Sequence, residues 1–155
     1  MTIYDLSRPG TSRYRFAACC CGLTLLLSAV SPAVVSADAG PPPEAVSLGT
    51  EEIRDAFADV KDEAEVQDAA GTRAINYWYA DGTFTNRWRN ANASGEVTGR
   101  WWAENDKRCV KITSGLPERE GVTRCSPVYR LGDIYFSTEQ DGSVHGAHRL
   151  TPMSR

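Results

Sequence analysis

The sequence has 155 residues, 41% of them apolar and 24% charged, with a formal net charge of −3 at pH 7. That size holds one ordinary globular domain and excludes multidomain machinery. Lysine and arginine are dispersed among acids rather than clustered, which excludes a phosphate-binding surface for nucleic acid.

The first 37 residues read as an export signal. Arg8, Arg13 and Arg15 make a basic start, residues 16–30 supply an apolar stretch with Leu23, Leu25, Leu26 and Leu27, and Pro32 interrupts any helix. Small side chains favour cleavage after Ala37, with Ala39 as the second choice. An uncleaved anchor is the rival, since residues 16–35 are long enough to cross about 30 Å of hydrocarbon. A lipid-modified cysteine fits less well, because Cys19, Cys20 and Cys21 precede the leucine-rich core.

Cleavage leaves 118 residues and, of five cysteines, only Cys109 and Cys125. An even pair is what an oxidising compartment predicts, and a bridge between neighbouring strands would stabilise the fold by about 3 kcal/mol in the chain-entropy model. The alternative is two buried thiols. Two cysteines without nearby histidines do not make a zinc site, and no CxxC follows the signal.

Residues 38–47, with Pro41, Pro42 and Pro43, read as an extended linker, and residues 48–155 as the folded domain. Thr50 is placed to cap a short helix near 51–59 in which Ile53 and Phe57 share one face. Beyond Gly71 the pattern changes to aromatic and β-branched runs punctuated by turn residues about every ten positions. Strands are expected at 73–79, 83–89, 96–103, 108–113, 123–129, 133–138 and 143–150. An eighth follows if residues 63–67 extend. Alternation puts Ile75, Tyr77 and Tyr79 on one face, and Phe84, Asn86 and Trp88 on one face of the next strand. The expected fold is mainly β: a small antiparallel up-and-down barrel or strongly curved meander of seven to eight strands, with the helix covering one end.

Residues 38–68 carry 2 basic and 10 acidic side chains, while residues 69–155 carry 12 basic and 9 acidic. This describes an acidic helical segment beside a mildly basic sheet.

His145 and His148 are the only histidines. On a strand their offset of three directs them to opposite faces unless Gly146 forms a bulge, so shared metal binding is not expected. A hydrolase using either histidine would need a serine and an orienting acid, and no GxSxG or SxxK motif selects one. The tryptophans carry more information: Trp78, Trp88, Trp101 and Trp102 lie within 25 residues across three strands. They either fill the interior or line a cavity for a small apolar or planar ligand. Arg87, Arg89 and Arg100 interleave with them, which suits an anionic ligand.

The run from Tyr79 through Asp81-Gly82-Thr83 to Phe84, then Gly99-Arg100-Trp101, Cys109-Val110, Cys125 with Val128-Tyr129, and Gly132-Asp133-Ile134-Tyr135 resembles a family of small exported proteobacterial proteins classed as a domain of unknown function. The resemblance spans about 100 residues and implies a lipocalin-like or avidin-like barrel with the two cysteines paired; it implies no activity. In lipocalins themselves the G-x-W element lies on the first strand, whereas Gly99-Arg100-Trp101 lies mid-chain.

These features lead to the expectation of a periplasmic or extracellular, non-enzymatic binding module, without cofactor or metal and without membrane insertion once the signal is cut. Its partner would be a small ligand or an exported protein. The expected ligand surface comprises Tyr77, Trp78, Tyr79, Trp88, Arg100 and Trp101, with Cys109 and Cys125 structural. The second expectation is an inhibitor of an exported peptidase that acts through residues 38–47.

Overall fold

The structure, a computed structural model, describes residues 39–154; the expected export signal and its cleavage site lie outside them. A two-residue strand, β1 (Val46–Ser47), precedes the helix α1 (Thr50–Phe57). Eight strands follow: β2 (Val60–Val66), β3 (Arg73–Trp78), β4 (Thr83–Arg89), β5 (Ser94–Glu104), β6 (Lys107–Ser114), β7 (Thr123–Leu131), β8 (Ile134–Thr138) and β9 (Val144–Pro152). Each pairs antiparallel with the next, and β9 returns to pair with β2, so the sheet closes into an eight-stranded barrel. Closure leaves no free edge among these eight, which is how a meander of this length avoids pairing with other chains. The strand that was conditional in the sequence, residues 63–67, exists and is longer, starting at Val60.

The helix begins differently from expectation. Gly49 is the residue before its first turn, and the Glu52 carboxylate reaches back to accept the Gly49 backbone N–H at 2.8 Å. Thr50 is the first helical residue and turns its hydroxyl to Asp106, in the β5–β6 turn, whose own backbone N–H donates to Thr50 Oγ1 at 2.9 Å. The exchange ties the helix start to the barrel end it covers. Eight residues are too few for a helix to persist alone in water, so α1 is held by its packing. Ile53 and Phe57 are fully buried, and Phe57 meets Trp78, Tyr135 and Trp101 at ring separations of 5.9, 6.0 and 6.5 Å. This aromatic layer is the floor of the barrel.

Residues 39–47 are tied to the barrel near both ends of the segment. Ala39 accepts a hydrogen bond from Val144, and Val46–Ser47 pair with Arg130 and Tyr129 of β7. The three prolines interrupt any longer ladder, because each lacks the donor a strand needs.

Two irregularities shape the interior. Between Thr98 and Gly99 the β5–β6 register shifts, and a Cβ on Gly99 would lie 2.3 Å from the Lys111 carbonyl oxygen and 2.5 Å from Phe84. Only glycine lets the strands approach so closely there. Between Ser137 and Thr138 the β8–β9 register also shifts, with Ser137 facing Gly146 and Thr138 facing Val144, so His145 is the extra residue of a bulge.

Cys109 and Cys125 face one another across β6 and β7 and form a disulfide. Replacing both by alanine is expected to lower stability by about 3 kcal/mol. The check is a shift of the urea midpoint at unchanged slope; an unchanged midpoint would show that the bridge constrains nothing the ladder does not already hold.

Candidate functional site

Alternation along closed strands sends every second side chain into the lumen. On β2 these are Val60, Asp62, Ala64 and Val66; on β3 Ala74, Asn76 and Trp78; on β4 Phe84, Asn86 and Trp88; on β6 Arg108, Val110 and Ile112. Above the Phe57 layer a cavity of about 370 Å³ remains. It reaches the end away from the helix, where Asp68, Thr72, Leu116, Arg119, Glu139 and His145 line it.

A connected polar group crosses this lumen. The buried Asp62 carboxylate accepts from Asn76 Nδ2 at 2.9 Å, from Trp78 Nε1 at 3.0 Å and from His148 Nδ1 at 3.0 Å. Asn86 in turn donates to Asn76 Oδ1. On the other side of the ring, His148 Nε2 lies 2.9 Å from Ser137 Oγ. An ionised carboxylate can only accept, so Nδ1 carries a proton toward Asp62; with the ring neutral, Nε2 accepts from the Ser137 hydroxyl. Burial by itself raises the Asp62 carboxyl, but the His148 ring, the Arg108 charge and the Trp78 N–H together hold it below the ordinary carboxylate value.

Arg108 provides the buried positive charge. Its guanidinium lies 4.4 Å from the Phe57 ring centroid and 4.7 Å from that of Trp78, resting on the aromatic floor. Burial pulls it down to about 10, with Asp62 opposing, so it is charged at neutral pH. At the open end burial, and then the like charge of Arg124, lower the Arg119 guanidinium, with Glu139 and Glu118 opposing.

Among the described residues, three buried side-chain nitrogens have no hydrogen-bond partner: Trp88 Nε1, Arg108 Nη1 and Arg119 Nε. All three residues line the same cavity and all three atoms are donors. Trp88 holds its position because Gly95, its partner on β5, has no side chain; a Cβ there would lie 2.8 Å from the indole nitrogen.

The structure separates the residues expected at a ligand surface. Trp78 and Trp88 line the cavity, but the Trp78 N–H is already used by Asp62. Trp101 is buried in the floor layer and donates to the Tyr79 carbonyl at 2.9 Å. Tyr77, Tyr79 and Arg100 alternate with these inward tryptophans and therefore face outward; Arg100 donates to the Asp81 carbonyl. One strand cannot direct adjacent residues to one side. Cys109 alternates with the inward Arg108 along β6, and its side chain is fully buried.

The two histidines do share the lumen, through the bulge at His145, yet each has its own partner: His145 bonds Glu139 at 2.5 Å and His148 bonds Asp62 and Ser137. Asp62, Arg108 and Ser137 were not anticipated. A signal existed for Asp62, which falls in period-2 register with Val60, Ala64 and Val66 but is masked by its charged neighbours Lys61 and Glu63. Arg108 similarly shares a face with Val110 and Ile112.

No known protein family, curated protein or solved structure matches this chain. Among the described residues no helix is long and apolar enough to cross a membrane.

Proposed function

We propose that the protein is an exported small-molecule binding module whose lumen holds a compact ligand carrying a carboxylate on an apolar or planar body. The observation that carries this reading is the set of three unpartnered donors around one cavity. A buried donor without a partner costs about 1–3 kcal/mol, and a ligand bringing an acceptor to such a donor recovers that cost. The charge on Arg108 favours an anion over a neutral acceptor. The cavity volume lies at the lower end of the range that small-ligand sites occupy.

The disulfide accords with an oxidising compartment and hence with export. Action through residues 38–47 is less favoured, because that segment is fastened to the barrel at Ala39 and at Val46–Ser47.

Titration of the full chain with small aromatic and aliphatic carboxylates, beside the matching primary amides, tests the reading through tryptophan fluorescence. A saturable change is expected with carboxylates, weakened at least about tenfold by Trp88→Phe or Arg108→Met, since a hydrogen bond to a charged group contributes about 1.5–3 kcal/mol. Equal binding of the amides, or no saturable change with any compound, would overturn it.

A further inference from the structure

The lumen also holds an arrangement that ligand binding does not require. Ser137 Oγ, His148 and Asp62 form one hydrogen-bonded line, 2.9 Å from hydroxyl to Nε2 and 3.0 Å from Nδ1 to carboxylate. The order is that in which a neutral imidazole takes a proton from a serine while a carboxylate fixes the ring and stabilises the imidazolium. Asp62 is over-determined in this role, because Asn76 and Trp78 hold both its position and its ionised state. Ser137 is at the bulge of β8 and β9 and on the cavity wall. Arg108, with Nη1 unpartnered, supplies positive charge to the same cavity.

We propose that Ser137 is an acylatable nucleophile and that the lumen cleaves small carboxylic esters. Ser137 Oγ attacks the acyl carbon while its proton passes to His148 Nε2, and the negative charge that develops on the carbonyl oxygen is met by Arg108. Collapse breaks the bond from the acyl carbon to the alkoxy oxygen, and the proton on Nε2 leaves with the alcohol. Water then attacks the acyl-serine, giving its proton to His148, which returns it to Ser137 Oγ as the acid departs. One ester and one water become one acid and one alcohol. Ser137 and His148 are the catalytic residues, and Asp62 is a positioning residue.

The inference goes beyond binding but uses the same cavity, and the two fail separately: a carboxylate can bind without any chemistry at Ser137. The full chain is treated with diisopropyl fluorophosphate and, in parallel, with p-nitrophenyl acetate, and adducts are located by peptide mass spectrometry. The expected result is a single phosphoryl or acetyl group on Ser137, absent in Ser137→Ala. In His148→Gln, shown to be folded by circular dichroism, labelling should slow at least about 100-fold, the lower range of general-base contributions. Should His148→Gln not fold, the wild-type chain in urea serves instead, where Ser137 labelling must vanish. No adduct on Ser137 from either reagent, or labelling that persists at the same rate in His148→Gln or in urea, would overturn the proposal.

Discussion

Replacing Asp62 by alanine is expected to destabilise the barrel by about 3–5 kcal/mol, the range for breaking a buried charge pair by removing one partner. The carboxylate serves three donors at once, Asn76 Nδ2, Trp78 Nε1 and His148 Nδ1, and offsets the buried charge of Arg108. Alanine leaves the three donors without this acceptor, and all of them belong to buried residues. The same site gives a pH signature. Its folded-state value is depressed, so Asp62 contributes stability above the unfolded carboxylate value of about 3.9, and the contribution is lost as pH falls from there through the lower folded value. Urea midpoints measured from pH 7 down to pH 3 check both statements. The wild type should lose stability steeply below about pH 4, and Asp62→Ala should start lower and lose less over that interval. A variant as stable as the wild type at neutral pH would mean that the lumen network contributes nothing net.

The second large effect is expected at Phe57. Truncation to alanine should cost about 3–5 kcal/mol, as for other fully buried aromatic residues. Phe57 is the point at which α1 enters the aromatic floor, touching Trp78, Trp101 and Tyr135, and its ring also lies under the Arg108 guanidinium. Alanine would leave a void between the helix and the lumen and remove one of the two rings on which Arg108 rests. Phe57→Leu keeps an apolar body without the ring and should fall between alanine and the wild type. Denaturant unfolding of the three proteins is the measurement; a loss below about 1 kcal/mol in Phe57→Ala would show that the helix covers the barrel end without packing into it.

Much of this architecture was legible beforehand because it depends on local periodicity. Alternating aromatic and apolar residues separated by turn residues announced the strands from Arg73 onward, and the i, i+4 pair Ile53 and Phe57 announced a short helix with one buried face. The bridge between Cys109 and Cys125 was the expectation once the cysteines of the expected signal were set aside, with two buried thiols as the alternative, and the structure shows the bridge. The helix start was placed one residue late, because Thr50 has the chemistry of a cap but spends it on Asp106, 56 positions away. The expected ligand surface drew its residues from both faces of the barrel wall. Tyr77, Tyr79 and Arg100 were grouped with tryptophans that are their immediate neighbours in the chain, and on a closed barrel immediate neighbours lie on opposite sides of the wall.

What the sequence determined by itself is therefore the set of elements, their amphipathic faces and the presence of a closable meander, since each depends on residues within a few positions of one another. What only the tertiary structure decided is the content of the lumen. Asp62 and His148 are 86 positions apart, and they meet because β9 closes the barrel against β2; Ser137 joins them because β8 flanks β9 on its other side. The bulge at His145 then selects which side chains of β9 face inward. Barrel closure is a long-range event whose register is set by the whole circuit of strands, so a site assembled across the closing seam leaves no local pattern in the chain.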